Sequence, residues 1–395
     1  MIPEIALSDE AVMRDPFTAY GRAREQGPVA RISAPGFGGM WAVTRHADAR
    51  ALLGDPRFAI NEHSFMPPDV PEHCTPYMRT MSEKNGPEHA RLRRLVAPAF
   101  SAPRAAAFRP RLVPLVDRLL DDLPADDPVD LYAHLVRPLP MDVICELVGI
   151  PEEDRLRWRA YGATVAGGAG ASFAEAVPGI MDGARRAVER GRAHPGDDLI
   201  GDLVRTRADD GDRLSDTDLV TLVWHLVIAG QTPGNLIANA VAALLTHPDQ
   251  LAAVRADPGL MPRAVDEPIR WCGPALLAIP RYATEDVDLR GVRIPAGDAV
   301  TAAVAAANRD PRAYDDPDRL DVRREPRPAH LGFAHGPHFC LGASLARVQT
   351  EVALTALLDR FPGLALAAGP AEIRALDPGT WRVTALPVSR ETAPG

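Results

Sequence analysis

Apolar residues return every three or four positions along most of this chain, the spacing of an amphipathic helix, and alternate with polar ones only in short stretches. Helical patterns run over 11–26, 46–54, 88–100, 111–123, 138–147, 154–166 and 174–192, and another opens at Ala343. Strand patterns occupy 29–43, folded back at Gly36 to Gly39, and gather again at 281–289, 292–294 and 299–303. The pattern predicts a mainly α fold with a small β-sheet region. Between 60 and 84 the periodicity is lost, and Pro67, Pro68, Pro71 and Pro76 predict a loop long enough to need a functional reason. Gly167, Gly168 and Gly170 predict a hinge, or a plain connector, between two helices.

The longest apolar stretch, 219–248, is thirty residues without a charged side chain. That length meets the rule for a membrane span, but His225, Gln231, Thr232, Asn235 and Asn239 interrupt it and Pro233 breaks its middle. A helix apolar nearly all round is equally what the centre of a large water-borne protein needs, and thirty residues would reach about 45 Å. Ser215, with Asp218 three residues on, forms a capping pair that starts it.

Composition narrows the field. No Gly/Ser-rich linker, low-complexity tract or internal repeat divides the 395 residues, so 1–395 reads as a single domain. At 46% hydrophobic residues the chain can bury a large core and still enclose a cofactor. A net charge of −9 and the lack of a basic stripe with interleaved aromatics argue against nucleic acid as a partner. The first ten residues carry acids where a signal peptide would carry bases, so neither export nor a membrane anchor is expected and the protein reads as cytoplasmic. Cys74, Cys145, Cys272 and Cys340 show no paired spacing and no metal-knuckle pattern, in keeping with a reducing compartment.

One cysteine has distinctive surroundings. Cys340 falls near the end of Gly332-Phe333-Ala334-His335-Gly336-Pro337-His338-Phe339-Cys340-Leu341-Gly342, just before a helical pattern begins. A thiolate bound to haem iron needs such a loop, with backbone N–H groups aimed at the sulfur, a wall against water, and a helix N-terminus facing the negative charge. Gly336 and Gly342 would permit the turns and Phe333 would form the wall. Alone, the loop is equally open to a buried structural cysteine, but three patterns accompany it. Glu267 and Arg270 stand three apart on one helix face. His89 and Arg93 stand one turn apart in Asn85-Gly86-Pro87-Glu88-His89-Ala90-Arg91-Leu92-Arg93, two donors that suit two haem propionates or else form a solvated basic face. A proline-broken coil after Ala307 carries Arg319 as a candidate third member of the Glu267–Arg270 pair.

In order and separation these motifs resemble those of the cytochrome P450 superfamily in its soluble, actinobacterial form that tailors natural products, and the resemblance runs from Asp15 to the region of Leu386. It implies the cytochrome P450 fold, a large helical domain with a small β-sheet region, and haem b (iron protoporphyrin IX) between the central distal helix and the cysteine loop. On that resemblance Cys340 is the metal ligand, and His89, Arg93, Arg281 and His338 meet the propionates. Phe333, Gly336, Gly342, Ala229 and Gly230 border the cofactor, while Glu267, Arg270 and Arg319 lock the core beneath it. O2 is implied as co-substrate. Electrons from NAD(P)H would arrive through a separate ferredoxin reductase and ferredoxin, docking on a patch formed by Arg91, Arg94, Arg104 and Arg347, and the enzyme would be a monomer.

Family members usually carry Ala-Gly-x-acid-Thr in the central helix, where this chain has Ala229-Gly230-Gln231-Thr232-Pro233-Gly234-Asn235-Leu236-Ile237. Counted forward from Ala229, Pro233 falls in the threonine slot. Counted back from Asn235, Thr232 takes that slot and Gln231 the acid's, with one residue deleted; the match through Leu244-Leu245-Thr246-His247-Pro248 favours this count. Thr232 and Gln231 are therefore the catalytic candidates. Pro233 has no N–H to give the carbonyl of Ala229, and Gln231 can orient water but cannot yield a proton as a carboxylic acid does. The expected function is a monooxygenase that hydroxylates or epoxidises a mostly hydrophobic natural-product intermediate, because the implied pocket segments 224–229, 273–279 and 376–381 are largely apolar. Two alternatives stand beside it. One is a non-hydroxylating oxidation such as carbon–carbon or aryl coupling; the other is a catalytically silent haem-binding partner of a biosynthetic assembly line.

Overall fold

The computed structural model describes residues 2–34, 37–65, 70–167, 171–206, 211–325 and 327–390. The helices that position the site are α1 (Pro16–Gln26), α2 (His46–Gly54), α3 (Gly86–Val96), α4 (Ala102–Asp121), α5 (Pro138–Leu147), α6 (Glu152–Ala166), α7 (Ala171–Ala193), α8 (Asp216–Ala229), α9 (Thr232–Thr246), α10 (Met261–Cys272) and α11 (Ala343–Arg360). The strands are β1 (Glu4–Ala6), β2 (Val29–Ala34), β3 (Phe37–Val43), β4 (Phe58–Ala59), β5 (Val129–Asp130), β6 (Arg281–Ala283), β7 (Val287–Leu289), β8 (Val292–Ile294), β9 (Ala299–Ala302), β10 (Ala365–Leu366) and β11 (Pro387–Ser389). Six of them form one mixed sheet in the order β1-β2-β3-β9-β6-β4, with β1–β2 and β3–β9 parallel.

Several boundaries differ from the sequence pattern, each for a local reason. The first helical run divides at Pro16, which takes the opening position of α1 while the Asp15 carboxylate accepts from the Thr18 N–H. Helix α4 begins at Ala102 and carries Pro110 and Pro114 inside it. Its buried face, Leu112, Leu115, Val116 and Leu119, packs against α11, and this burial outweighs the missing N–H groups. The run 281–289 divides between Ala283 and Val287, because β6 pairs with β4 and β9 in the large sheet while β7 pairs with β8 in a separate hairpin turned at Arg290 and Gly291, at φ 57° and 84°. Gly39 lies within β3 rather than in a turn, and Gly36 and Gly168 to Gly170 fall outside the described residues. The loop from 60 to 84 holds short helical turns at Glu62–Ser64, Glu72–Tyr77 and Met81–Glu83.

Two large apolar clusters support the helices. One joins α4, α5, α9 and α11 through Leu112, Leu139, Ile237, Val241, Leu354 and Leu357; fully burying each such side chain stabilises by about 1.5–3 kcal/mol. The other joins α5, α6, α7 and α8 around the fully buried Trp158 and Trp224. The central apolar stretch starts as its cap predicts, with the Asp218 N–H donating to Ser215 Oγ at 3.1 Å and the Ser215 N–H to Asp218 at 3.0 Å. It is two helices rather than one, because α8 stops at Ala229 and α9 starts at Thr232. Among the described residues no helix is long and apolar enough to cross a membrane.

The ion pair expected on α10 is present. Arg270 binds Glu267 with two hydrogen bonds of 2.7 and 2.8 Å, both side chains buried, and donates further to the carbonyls of Asn308, Pro317 and Arg319. The third charged member is not Arg319, whose side chain is exposed and which contributes only its carbonyl. Arg324 takes that place, its Nε 3.1 Å from Glu267 Oε1, because the coil returns over α10 five residues later than its arginine spacing shows.

Candidate active site

The loop before α11 is closed by the Cys340 N–H donating to the Phe333 carbonyl at 2.9 Å. Gly336 lies at φ +74°, where a Cβ would also stand 2.8 Å from the Leu53 carbonyl, so both conformation and space require glycine. Gly342 sits at an ordinary φ of −82°, and its turn does not demand glycine. Phe333 is held between the Arg347 guanidinium, 4.7 Å from its ring centre, and the edge of Phe339. Burial pushes the Cys340 thiol up, while the N–H groups of Gly342 and Ala343 and the charges of Arg93 and Arg347 favour the thiolate. The residue is nonetheless exposed by area.

Four donors from three distant parts of the chain gather near it. His89 and Arg93 come from α3, Arg281 from β6 and His338 from the cysteine loop. The rings of His89 and His338 stack at 4.2 Å, and Arg93 Nη2 donates to the Phe339 carbonyl at 2.6 Å. Arg281, buried, has among the described residues a single long hydrogen bond, 3.5 Å to the Leu52 carbonyl. Burial lowers the pKa of all four; for His338 it falls to about 4, with His89, Arg281 and Arg93 adding repulsion. Among the described residues no carboxylate balances this set. A buried guanidinium, Arg281, and a half-buried one, Arg93, are costly to fold without an anion, and two carboxylates supplied by a ligand would remove that cost. The propionates of a haem fit both the charge and the place, beside the sulfur of Cys340.

The central apolar stretch is interrupted between α8 and α9. Gly230 donates to the Leu226 carbonyl and turns toward Ile144 of α5, while the Gly234 N–H reaches only Gln231, so the helical bond to Ala229 is missing where Pro233 lacks its N–H. The break has two faces. Val223, Trp224 and Val227 are buried, and a Cβ on Gly234 would stand 2.9 Å from the Val136 carbonyl, so these residues look into the protein. His225 and Ala229, four apart on the other face of α8, are open to different degrees, and Ala229 and Thr232, on either side of the break, are exposed. Gln231 does not join them: its Nε2 donates to the Val227 carbonyl at 3.2 Å, beside Gly162 of α6.

Sequence reasoning overlooked His225 and Ser82. His225 Nε2 lies 3.0 Å from Ser82 Oγ, and the signal for it was a lone histidine one turn before Ala229 in a charge-free stretch. The four arginines expected to form a positive docking patch are all paired with acids, Arg91 and Arg94 with Asp212, Arg104 with Asp202 and Arg347 with Asp266. The partners lie far off in sequence, which is why the charges looked unbalanced.

Comparison with known proteins gives a consistent picture. A family model described as Cytochrome P450 matches residues 259–365. The chain is 42% identical to cytochrome P450 monooxygenase PikC of Streptomyces venezuelae, over 91% of this chain and 87% of that protein. It is 41% identical to mycinamicin IV hydroxylase/epoxidase of Micromonospora griseorubida, over 90% of each. The solved structure of ligand-free P450 monooxygenase TamI matches with a TM-score of 0.90 and 36% identity, covering 99% of this chain and 94% of that one.

Proposed function

Because the chain belongs to the cytochrome P450 family and is a monooxygenase by that kinship, we propose that it hydroxylates or epoxidises a mostly hydrophobic natural-product intermediate with O2 and two electrons from an external ferredoxin and ferredoxin reductase. The observation that carries this reading is the donor set His89, Arg93, Arg281 and His338, which lacks an anion of its own beside the N–H-bonded sulfur of Cys340. In it Cys340 ligates the haem iron and the four donors hold the propionates. The haem supplies the activation of dioxygen. The protein's share is to hold the thiolate with the N–H groups of Gly342 and Ala343, to exclude water with Phe333, and to present the substrate along Ala229 and Thr232. A relative named for hydroxylating or epoxidising mycinamicin IV supports an elaborated natural product as substrate.

A non-hydroxylating oxidation is the second reading, favoured by Gln231 turning away from the open face where the family usually places an acid. The mass of the product separates the two, a gain of one oxygen against a loss of two hydrogens. The iron ligand is tested first. Reduced protein with carbon monoxide is expected to show the red-shifted Soret band of thiolate-ligated haem, and Cys340→His is expected to abolish it. Retention of that band in the variant would assign the ligand elsewhere.

A further inference from the structure

We infer that His225, seated on Ser82, binds a free hydroxyl group of the substrate, which makes the substrate a hydroxylated scaffold rather than a plain hydrocarbon or a fatty acid. The inference rests on the monooxygenase reading above and adds a substrate class to it.

His225 stands one helical turn before the exposed Ala229, about 6 Å along the axis, on the same face of α8. The residue is half-buried and so keeps part of its surface open. Arg93, one of the donors proposed for the cofactor, is near enough for its charge to act on the His225 ring.

The two ring nitrogens differ. Nε2 is engaged by Ser82 Oγ. Nδ1 has no hydrogen-bond partner among the described residues, and it is not one of the buried polar atoms left unpaired, so it keeps open surface. A neutral imidazole carries one proton, and Ser82 decides where it stays. If the serine donates to Nε2, Nδ1 is a donor; if it accepts, Nδ1 is an acceptor. A hydroxyl suits either state, since it can both donate and accept, whereas a carboxylate suits only one and an alkyl group neither. Ser82 is itself fixed. It lies in the turn Met81–Glu83, where Thr80 and Glu83 form a capping box with the Thr80 N–H 2.9 Å from Glu83 Oε1. The serine is a positioning residue, and the pair is set before substrate arrives.

The test uses the ferric holoenzyme, three hydroxylated probes (a macrolactone, a terpenoid and a steroid) and the O-methyl ether of each. Binding is read from the shift of the Soret band rather than from turnover, and the carbon monoxide band reports an intact site in every variant. Wild type is expected to bind at least one hydroxylated probe about tenfold more tightly than its ether, the scale of a buried hydrogen bond lost. His225→Phe is expected to erase that preference, His225→Gln to keep part of it, and Ser82→Ala to weaken it. Equal weakening of alcohol and ether in His225→Phe, or a preference that survives the change, would overturn the assignment. So would an intact carbon monoxide band with no hydroxylated probe bound, whereas loss of that band in wild type would overturn the monooxygenase reading itself.

Discussion

Glu267 is buried and receives hydrogen bonds from the buried Arg270 and from Arg324 and the Asp321 N–H, both only partly covered. Removing its charge leaves two guanidinium groups facing each other without a counter-ion, a loss of about 3–5 kcal/mol. Glu267→Gln is therefore expected to lower the urea midpoint of the holoenzyme severely, and Arg324→Ala, which spares the Glu267–Arg270 pair, by less. His225 gives a prediction in pH. Burial, with Arg93 adding to it, holds its pKa at about 4 instead of 6.5. Between those values the unfolded chain binds a proton that the folded one refuses, so stability is full above the upper value and falls as pH drops through the window. His225→Phe is expected to show a shallower fall in thermal midpoint over that window than wild type, and an identical slope would show that the imidazole is not held neutral.

At the level of elements, the two-residue gap between α8 and α9 separates the roles of neighbouring side chains. Thr232 opens α9 with its side chain exposed, while the Gln231 side chain donates back to the Val227 carbonyl of α8. Thr232→Ala is thus expected to divert reducing equivalents into peroxide, with Thr232→Ser largely restoring coupling to product. Gln231→Ala is expected to change coupling little, measured as peroxide formed per NAD(P)H consumed. The opposite ranking would mean that the amide swings onto the open face during turnover. Pro233 explains why the gap exists, but the direction of Gln231 follows from the space that Gly162 leaves on α6, a contact between helices far apart in the chain.

For the whole molecule, a net charge of −9 makes the approach of an acidic ferredoxin unfavourable unless a local positive surface guides it. Asp212 largely neutralises that surface where Arg91 and Arg94 meet it. Asp212→Asn is expected to raise the rate of reduction by a ferredoxin several-fold at low ionic strength, with the gain vanishing in high salt, as for charge steering. A rate unaffected by this change would place docking elsewhere.

Features with a local cause were determined by the sequence alone. The capping pair at Ser215 and Asp218, the proline break between Ala229 and Thr232, the glycine at Gly336, the pairing of Glu267 with Arg270 and the placement of Cys340 at a loop–helix junction all arise within a few residues, where backbone sterics and helical spacing act directly. The tertiary structure alone decided the rest. Arg324 rather than Arg319 completes the buried network, Asp212 claims Arg91 and Arg94, His89 stacks on His338, and Ser82 meets His225. Each joins segments separated by many residues and depends on which helix faces stack, and periodicity shows that a face is buried without showing what covers it.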